Sequence, residues 1–372
     1  MIRVAIDIRD LKLATTGSLT YLEAVVHEFK KGRPEFEFFF FDTNYAPYLG
    51  SNPLLKIREH IRFFIWKQIT LPFKAYQHQC DIVFCTDYFV PICTIKFVTI
   101  PVFHDAFFKE YPAHYNRLWL GLFNIFGLWG AKSAKAIVVP THYAAERVAT
   151  CYRLAAHKIK VVYEAPKITL DQTALLNELD TKLPKVEGKY ILHVGTFDKR
   201  KNIPILIKAF KVLVEQGHSD LKLVLVGSSN KKMNSDATIE IQALAEDQAL
   251  KDKIILTGYL DRGNLLSMYK NAFMYVFPSI NEGFGLPILE AFKFELPLLM
   301  ANNTCMPEVA GDAAIGFDPY DVEDLVHQLK RLIEDDTLRS DLIQKGNKRL
   351  QDFNWEKSCN QLLEIFKQAV HS

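Results

Sequence analysis

Short apolar runs alternate with longer amphipathic stretches along the whole chain, the pattern of parallel strands joined by crossover helices. In the first half, Ile2–Ile8, Phe36–Phe41, Ile82–Cys85, Val98–Phe103, Ala136–Val139 and Lys160–Tyr163 are expected as strands. Helices are expected over Thr20–Phe29, Tyr115–Lys132 and Tyr143–Cys151. The pattern restarts at Tyr190–Val194 and continues through Leu221–Val226, Ile254–Thr257, Met274–Phe277 and Leu298–Ala301. Its helices are expected over Ile203–Val214, Ile239–Ala245, Leu265–Asn271 and Asp321–Ile333, and Asn354–Val370 reads as a last helix. Between the halves, residues 164–189 hold two prolines, many polar residues and no clear strand, which marks a linker. The expected fold class is α/β with two Rossmann-like domains. Ligands of open α/β sheets bind beyond the carboxyl ends of the strands. Two such domains facing each other would form a cleft there.

A chain of 372 residues exceeds one ordinary core, in keeping with two domains. The net charge of +2 hides an asymmetry. Residues 1–168 carry 21 Lys/Arg against 14 Asp/Glu, a net +7, and the remainder 24 against 29, a net −5. A basic first half suits an anionic surface or an acidic substrate. No nucleic-acid motif accompanies it. The opening Met1-Ile-Arg-Val-Ala-Ile-Asp does not read as a signal peptide, so a cytoplasmic location is expected. Six cysteines without a C-x-x-C pair read as reduced thiols rather than metal ligands.

The stretch PSINEGFGLPILEA holds Glu282 and Glu290 with seven residues between them. Gly283 and Gly285 keep the backbone small and bendable, Pro287 suits a first helical turn, and Leu286 carries the helix onward. Free N–H groups at such a helix start bind anions, and flanking carboxylates accept hydrogen bonds from hydroxyls. A diphosphate with a sugar at each end fits this arrangement. Taken singly, each Glu also fits an ordinary helix start, which the macrodipole favours. A second candidate is His193-Val-Gly-Thr-Phe-Asp-Lys-Arg-Lys-Asn202, a strand, a loop through Gly195 and Thr196, a basic cluster and a helix start. Arg200 and Lys201 match phosphoryl charge. A solvated charge run is the plainer reading.

Together, E-G-F-G-L-P-x-x-E and G-T-x-x-x-R-K-N resemble the signatures of family 4 glycosyltransferases, retaining enzymes of the GT-B fold, among them bacterial mannosyltransferase-like polysaccharide enzymes. The resemblance covers nearly the whole chain and is strongest over 190–318. It implies that Glu282 contacts the donor sugar, Glu290 the nucleotide ribose, and Arg200 and Lys201 the donor phosphates. Many relatives have Arg where this chain has Thr196. Thr15-Thr-Gly-Ser-Leu-Thr-Tyr21 is similar to the family's glycine loop, so Gly17 is placed near the diphosphate, although the family's second glycine is replaced by Ser18 and Leu19. His104-Asp105 matches a strand-end pair and implies a donor-sugar contact by His104, through its backbone or ring; a buried structural histidine is the alternative. Gly258-Tyr259-Leu260 matches the segment against the nucleobase, or is a simple turn. Thr304–Gly311 resembles the loop that closes on the donor.

The resemblance implies a GT-B organisation. Residues 1–165 with 354–372 form the acceptor-binding domain, completed by a C-terminal helix that crosses back. Residues 166–188 are the linker and 189–353 the donor-binding domain. The implied activity is metal-independent hexosyl transfer, with retention, from a GDP- or UDP-sugar to a glycan or lipid-linked acceptor in cell-surface polysaccharide synthesis. No cofactor and no metal are expected, and there is no evident D-x-D cation motif. His104, Glu282, Arg200 and Lys201 are the catalytic candidates. The rivals are a GT-B sugar-nucleotide epimerase and a non-catalytic GT-B binding module.

Two aromatic segments stand apart. Leu118–Ala131, between Arg117 and Lys132, is too short for a comfortable membrane span. Ile61-Arg-Phe-Phe-Ile-Trp-Lys67 is the second, with Arg58, Arg62 and Lys67 as its expected surface charges. Either buried helices or an interface with an anionic membrane accounts for them, the latter making the protein peripheral at the inner face.

Overall fold

The computed structural model describes residues 1–371 except 15, 44, 49, 51, 168–185 and 229–234, and of residues 16 and 53 the backbone only. Most of the expected linker, 166–188, therefore lies outside the described residues. The chain divides into two compact units, Met1–Ala165 with Asn354–Ser372, and Pro166–Phe353.

In the first unit β1 (Ile2–Asp7), β2 (Phe36–Phe41), β3 (Ile82–Cys85) and β4 (Val98–Pro101) form a parallel sheet in the order β2-β1-β3-β4. A pair, β5 (Ile137–Val139) and β6 (Ile159–Val161), follows, and the Val102–Val138 bridge joins β5 to the end of β4. Of these, β3 and β5 are buried along their whole length, as continuous apolar runs require of a parallel sheet. The last helix, Trp355–His371, packs Leu362 and Phe366 into this unit's core, where Phe366 meets Phe84 with ring centroids 5.2 Å apart.

In the second unit β7 (Tyr190–Val194), β8 (Lys222–Val226), β9 (Ile254–Gly258), β10 (Met274–Phe277), β11 (Leu298–Ala301) and β12 (Ile315–Phe317) form a parallel sheet in the order β12-β11-β10-β7-β8-β9. The chain leaves β7 in one direction and returns to β10 on its other side. Such a reversal opens a crevice at the carboxyl ends of the two strands. The first unit reverses in the same way between β1 and β3.

Several expectations need correction. The Thr20–Phe29 helix starts a turn earlier, at Thr16, so Gly17 lies in a first helical turn and not in a loop. First-turn N–H groups need no intrahelical partner, so a glycine there costs little. The 115–132 element begins at Arg117, where the Asn116 side chain accepts from Leu118 N at 2.8 Å, and it includes a wide turn at Phe123–Gly127. The Ile61–Lys67 cluster belongs to a long helix that the pattern did not reveal, built of Pro53–Ile65, a wide turn Trp66–Thr70, and Leu71–Gln77. Apolar residues on both of its faces erase the contrast that marks an amphipathic helix. β12 and the helix Asp336–Leu350 were also missed, the first because it is three residues long and holds Gly316.

Candidate functional site

The second-unit crevice gathers the sequence candidates. After β7 the chain turns through Gly195 and Thr196 into a short 3-10 turn, Lys199–Lys201, capped by Asp198, whose Oδ1 accepts from Arg200 N at 2.9 Å. Ser235 Oγ donates to the other Asp198 oxygen. Asn202 follows in the left-handed region at φ 52° and donates to Pro319 O at 2.7 Å, which releases the chain into the helix Ile203–Glu215. After β10 the loop Ser279–Gly285 lies against this turn: Ile280 N donates to Arg200 O at 2.8 Å, and Arg200 Nη1 to Asn281 O at 3.3 Å. Gly285 caps the helix Leu286–Lys293 at φ 92°, a conformation that glycine permits, and a Cβ there would also meet Ile288 Cδ1 at 3.2 Å.

The structure brings Arg200, Lys201 and Glu282 together. Lys201 Nζ sits 2.6 Å from Glu282 Oε1, with both side chains mostly buried. Burial opposes ionisation of Glu282, yet Lys201 and Arg200 hold its pKa below the ordinary carboxylate value. Glu290 behaves in the opposite way. Burial raises its pKa, against the opposing effect of Tyr269, whose hydroxyl donates to Oε2 at 2.8 Å. Two glutamates of one motif therefore meet opposite electrostatics. Phe284 packs its ring on Phe353, centroids 5.9 Å apart, and Gly283 and Leu286 lie in the same loop and helix start. Gly258, at φ 70°, ends β9, and Tyr259 beyond it is 85% exposed beside Leu260.

Sequence reasoning missed His193 as a side chain of this crevice. It is fully buried, with Nδ1 at 2.9 Å from Val276 O, and Nε2 has no hydrogen-bond partner. Burial lowers its pKa to about 4, so it is neutral, with Nδ1–H donating and Nε2 an acceptor. A Cβ on Gly195 would lie 3.3 Å from that Nε2. A histidine one residue from a strand end is the sequence signal that marks it.

His104 lies in the first unit, apart from this cluster in the chain. Nδ1 is 3.2 Å from Glu164 Oε1, Nε2 is 3.1 Å from Thr86 O, and Tyr21 packs edge-on at 5.3 Å. Burial opposes its charge, but Glu164 raises its pKa, which suits a ring donating from both nitrogens. Both ring nitrogens are thus engaged within the unit. At the reversal between β1 and β3 a cavity of about 460 Å³ is lined by Arg9, Asp10, Asp87, Tyr88, His104 and Trp119, among others. Tyr88 there has φ 58°, a strained value for a large side chain. Behind it, Asp7, Cys85 and Asp87 come together in a group that could hold a cation. Lys67 fills that place: Nζ is 2.5 Å from Asp7 Oδ2 and also pairs with Asp87. Lys67 is thus 1% exposed, which corrects its expected place on the surface.

Comparison with known proteins agrees with the fold. Residues 23–165 match the model for glycosyltransferase family 4, and residues 177–349 that for glycosyl transferases group 1. The O-antigen chain mannosyltransferase B of Escherichia coli is 29% identical over 63% of this chain and 61% of its own length, so the match spans less than two thirds of that relative. Among solved structures, the sucrose-phosphate synthase of Thermosynechococcus elongatus superposes with a TM-score of 0.72 over 99% of both chains at 18% identity. Anabaena HepE, solved with UDP and glucose, does so with a TM-score of 0.68 over 99% of this chain and 100% of its own at 16% identity. With both family models accounted for and parallel α/β sheets throughout, the chain belongs to the family 4 glycosyltransferases of the GT-B fold.

Proposed function

We propose that this protein transfers a hexosyl unit, with mannosyl the first to test, from a GDP- or UDP-sugar to a hydroxyl of a glycan or lipid-linked acceptor, with retention of configuration. The carrying observation is the crevice between β7 and β10, where Arg200, Lys201 and Glu282 converge and Glu290 lies one helical turn beyond Leu286. In this reading Arg200 and Lys201 balance the departing diphosphate, an electrostatic role that suits a fixed, partly buried cation pair. Gly195 and the helix start after Gly285 let backbone approach the phosphates. Glu282 accepts from donor-sugar hydroxyls and Glu290 from the ribose, with Tyr259 and Leu260 beside the base. The anomeric C–O bond to phosphate breaks as the acceptor oxygen bonds on the same face, and the acceptor proton passes to the departing phosphate. The second unit holds the donor and the first unit the acceptor, and His104 is assigned a contact with the donor sugar. The names of relatives in O-antigen synthesis support a role in surface polysaccharide assembly.

A panel of GDP- and UDP-sugars, with product anomers read by NMR and with and without EDTA, tests this. Retained product, unaffected by chelation, is expected from at least one donor. Nucleotide binding without transfer or donor hydrolysis across the panel would favour a binding module. Epimerised free nucleotide sugar would favour an epimerase.

A further inference from the structure

The helix that runs from Pro53 to Gln77 buries one side and leaves an apolar stripe on the other. Phe63, Trp66, Leu71 and Ala75 are buried against the first unit. Leu54, Ile57, Ile61, Ile65, Ile69, Phe73 and Tyr76 stand between 47% and 75% exposed. Their three- and four-residue spacing lines them along one face. The wide turn at Trp66–Thr70, with Leu71 N bonded to Trp66 O, takes up one extra residue in mid-helix. At 1.5 Å per residue the stripe from Leu54 to Tyr76 is roughly 33 Å long. Soluble surfaces scatter such side chains singly; a continuous row marks a docking face.

The charges beside the stripe select its partner. Lys56 and Arg58 are exposed on the same helix, and Arg62 packs its guanidinium over Tyr45 at 4.8 Å. Glu59, the one acid between Pro53 and Gln77, faces Arg9 at 3.2 Å and is 12% exposed. Lys96 is exposed next to Ile95, itself 58% exposed. The neighbouring helix, which meets this one through Phe64 and Phe126 at 5.0 Å, exposes Leu118, Ile125 and Trp129. Apolar and aromatic side chains flanked by lysine and arginine suit the boundary between acyl chains and anionic headgroups. Among the described residues no helix is long and apolar enough to cross a membrane, so such a helix would lie along the surface.

We infer that the exposed face of the helix Pro53–Gln77 docks the protein flat on an anionic lipid bilayer. Vesicle sedimentation tests it, with phosphatidylcholine alone and with phosphatidylglycerol added. The whole protein should pellet with the anionic vesicles and be released as salt shortens the screening length. Ile61→Glu with Ile69→Glu should lower the bound fraction by about tenfold, since each places a charge among acyl chains. Lys56→Glu with Arg58→Glu should abolish the preference for the anionic vesicles. Ile239→Glu, at a position 85% exposed in the second unit, should change neither. Circular dichroism and nucleotide binding, both unchanged, would show the variants folded. Wild-type protein remaining in the supernatant at low salt overturns the inference. So does a dimer, seen in sedimentation equilibrium, that Ile61→Glu with Ile69→Glu dissociates, because a second copy would then cover the face. Nucleotide binding reads the second unit, so a failure of the proposed transfer reaction leaves a different trace from a failure to bind lipid.

Discussion

Lys201 Nζ lies 2.6 Å from Glu282 Oε1, so the cation assigned to the donor phosphates is already paired with the carboxylate assigned to the donor sugar. Against the cost of burial, Lys201 and Arg200 hold Glu282 in its charged form within a mostly buried crevice. A ligand diphosphate would share Lys201 with Glu282, while Arg200, held by Asp198 and Asn281, keeps its place.

Lys201→Ala should therefore do two things. It removes a charge-assisted contact of about 1.5–3 kcal/mol, lowering affinity for a nucleoside diphosphate by roughly tenfold or more. It also leaves Glu282 without its partner, so Lys201→Ala with Glu282→Gln should be more thermostable than Lys201→Ala alone. Calorimetry and thermal melts check both, and a double variant that melts lower than the single variant contradicts the pairing. Arg200→Ala should weaken diphosphate binding by a similar factor.

The two glutamates should separate by ligand. Glu290→Ala should weaken a free nucleoside diphosphate and its sugar derivative alike. Glu282→Ala should impair the sugar-bearing donor more than the free diphosphate. Equal losses for both ligands in both variants, by titration calorimetry, would count against the split.

Lys67→Met should unfold or strongly destabilise the first unit. It leaves Asp7 and Asp87 buried without a cation, and breaking a buried pair typically costs about 3–5 kcal/mol. Arg58→Ala, on the exposed face of the same helix, should change the melting temperature little. Chemical denaturation of the two variants side by side measures the difference.

His193 should make the second unit sensitive to acid. Its folded pKa of about 4 lies below the unfolded value of about 6.5. Its neutral form thus contributes stability in full above about pH 6.5, and that contribution is lost as pH falls toward 4. His104 has the reverse sign: its folded pKa is raised, so its pairing with Glu164 contributes below about pH 6.5 and is lost as pH rises through the folded value. His193→Gln should flatten the acid limb of the stability profile and His104→Gln the alkaline one. A profile unchanged by either substitution would refute the assignment for that residue.

The sequence by itself determined the parallel α/β architecture, because fully buried strands read as unbroken apolar runs: Ile82–Cys85, Met274–Phe277 and Leu298–Ala301 stand where the runs place them. It also marked the two motif loops, since glycine and proline punctuate the chain locally. Only the tertiary structure decided what those residues meet. Arg200 and Asn281 are 81 positions apart, and the strand order that sets β10 beside β7 makes them neighbours. The same holds for Lys67, which looks like a surface charge beside an aromatic cluster until folding sets it between Asp7 and Asp87. The exposed stripe from Leu54 to Tyr76 is the converse case. Hydrophobicity alone predicts burial, and which face of an apolar helix meets the core is decided by what packs against it.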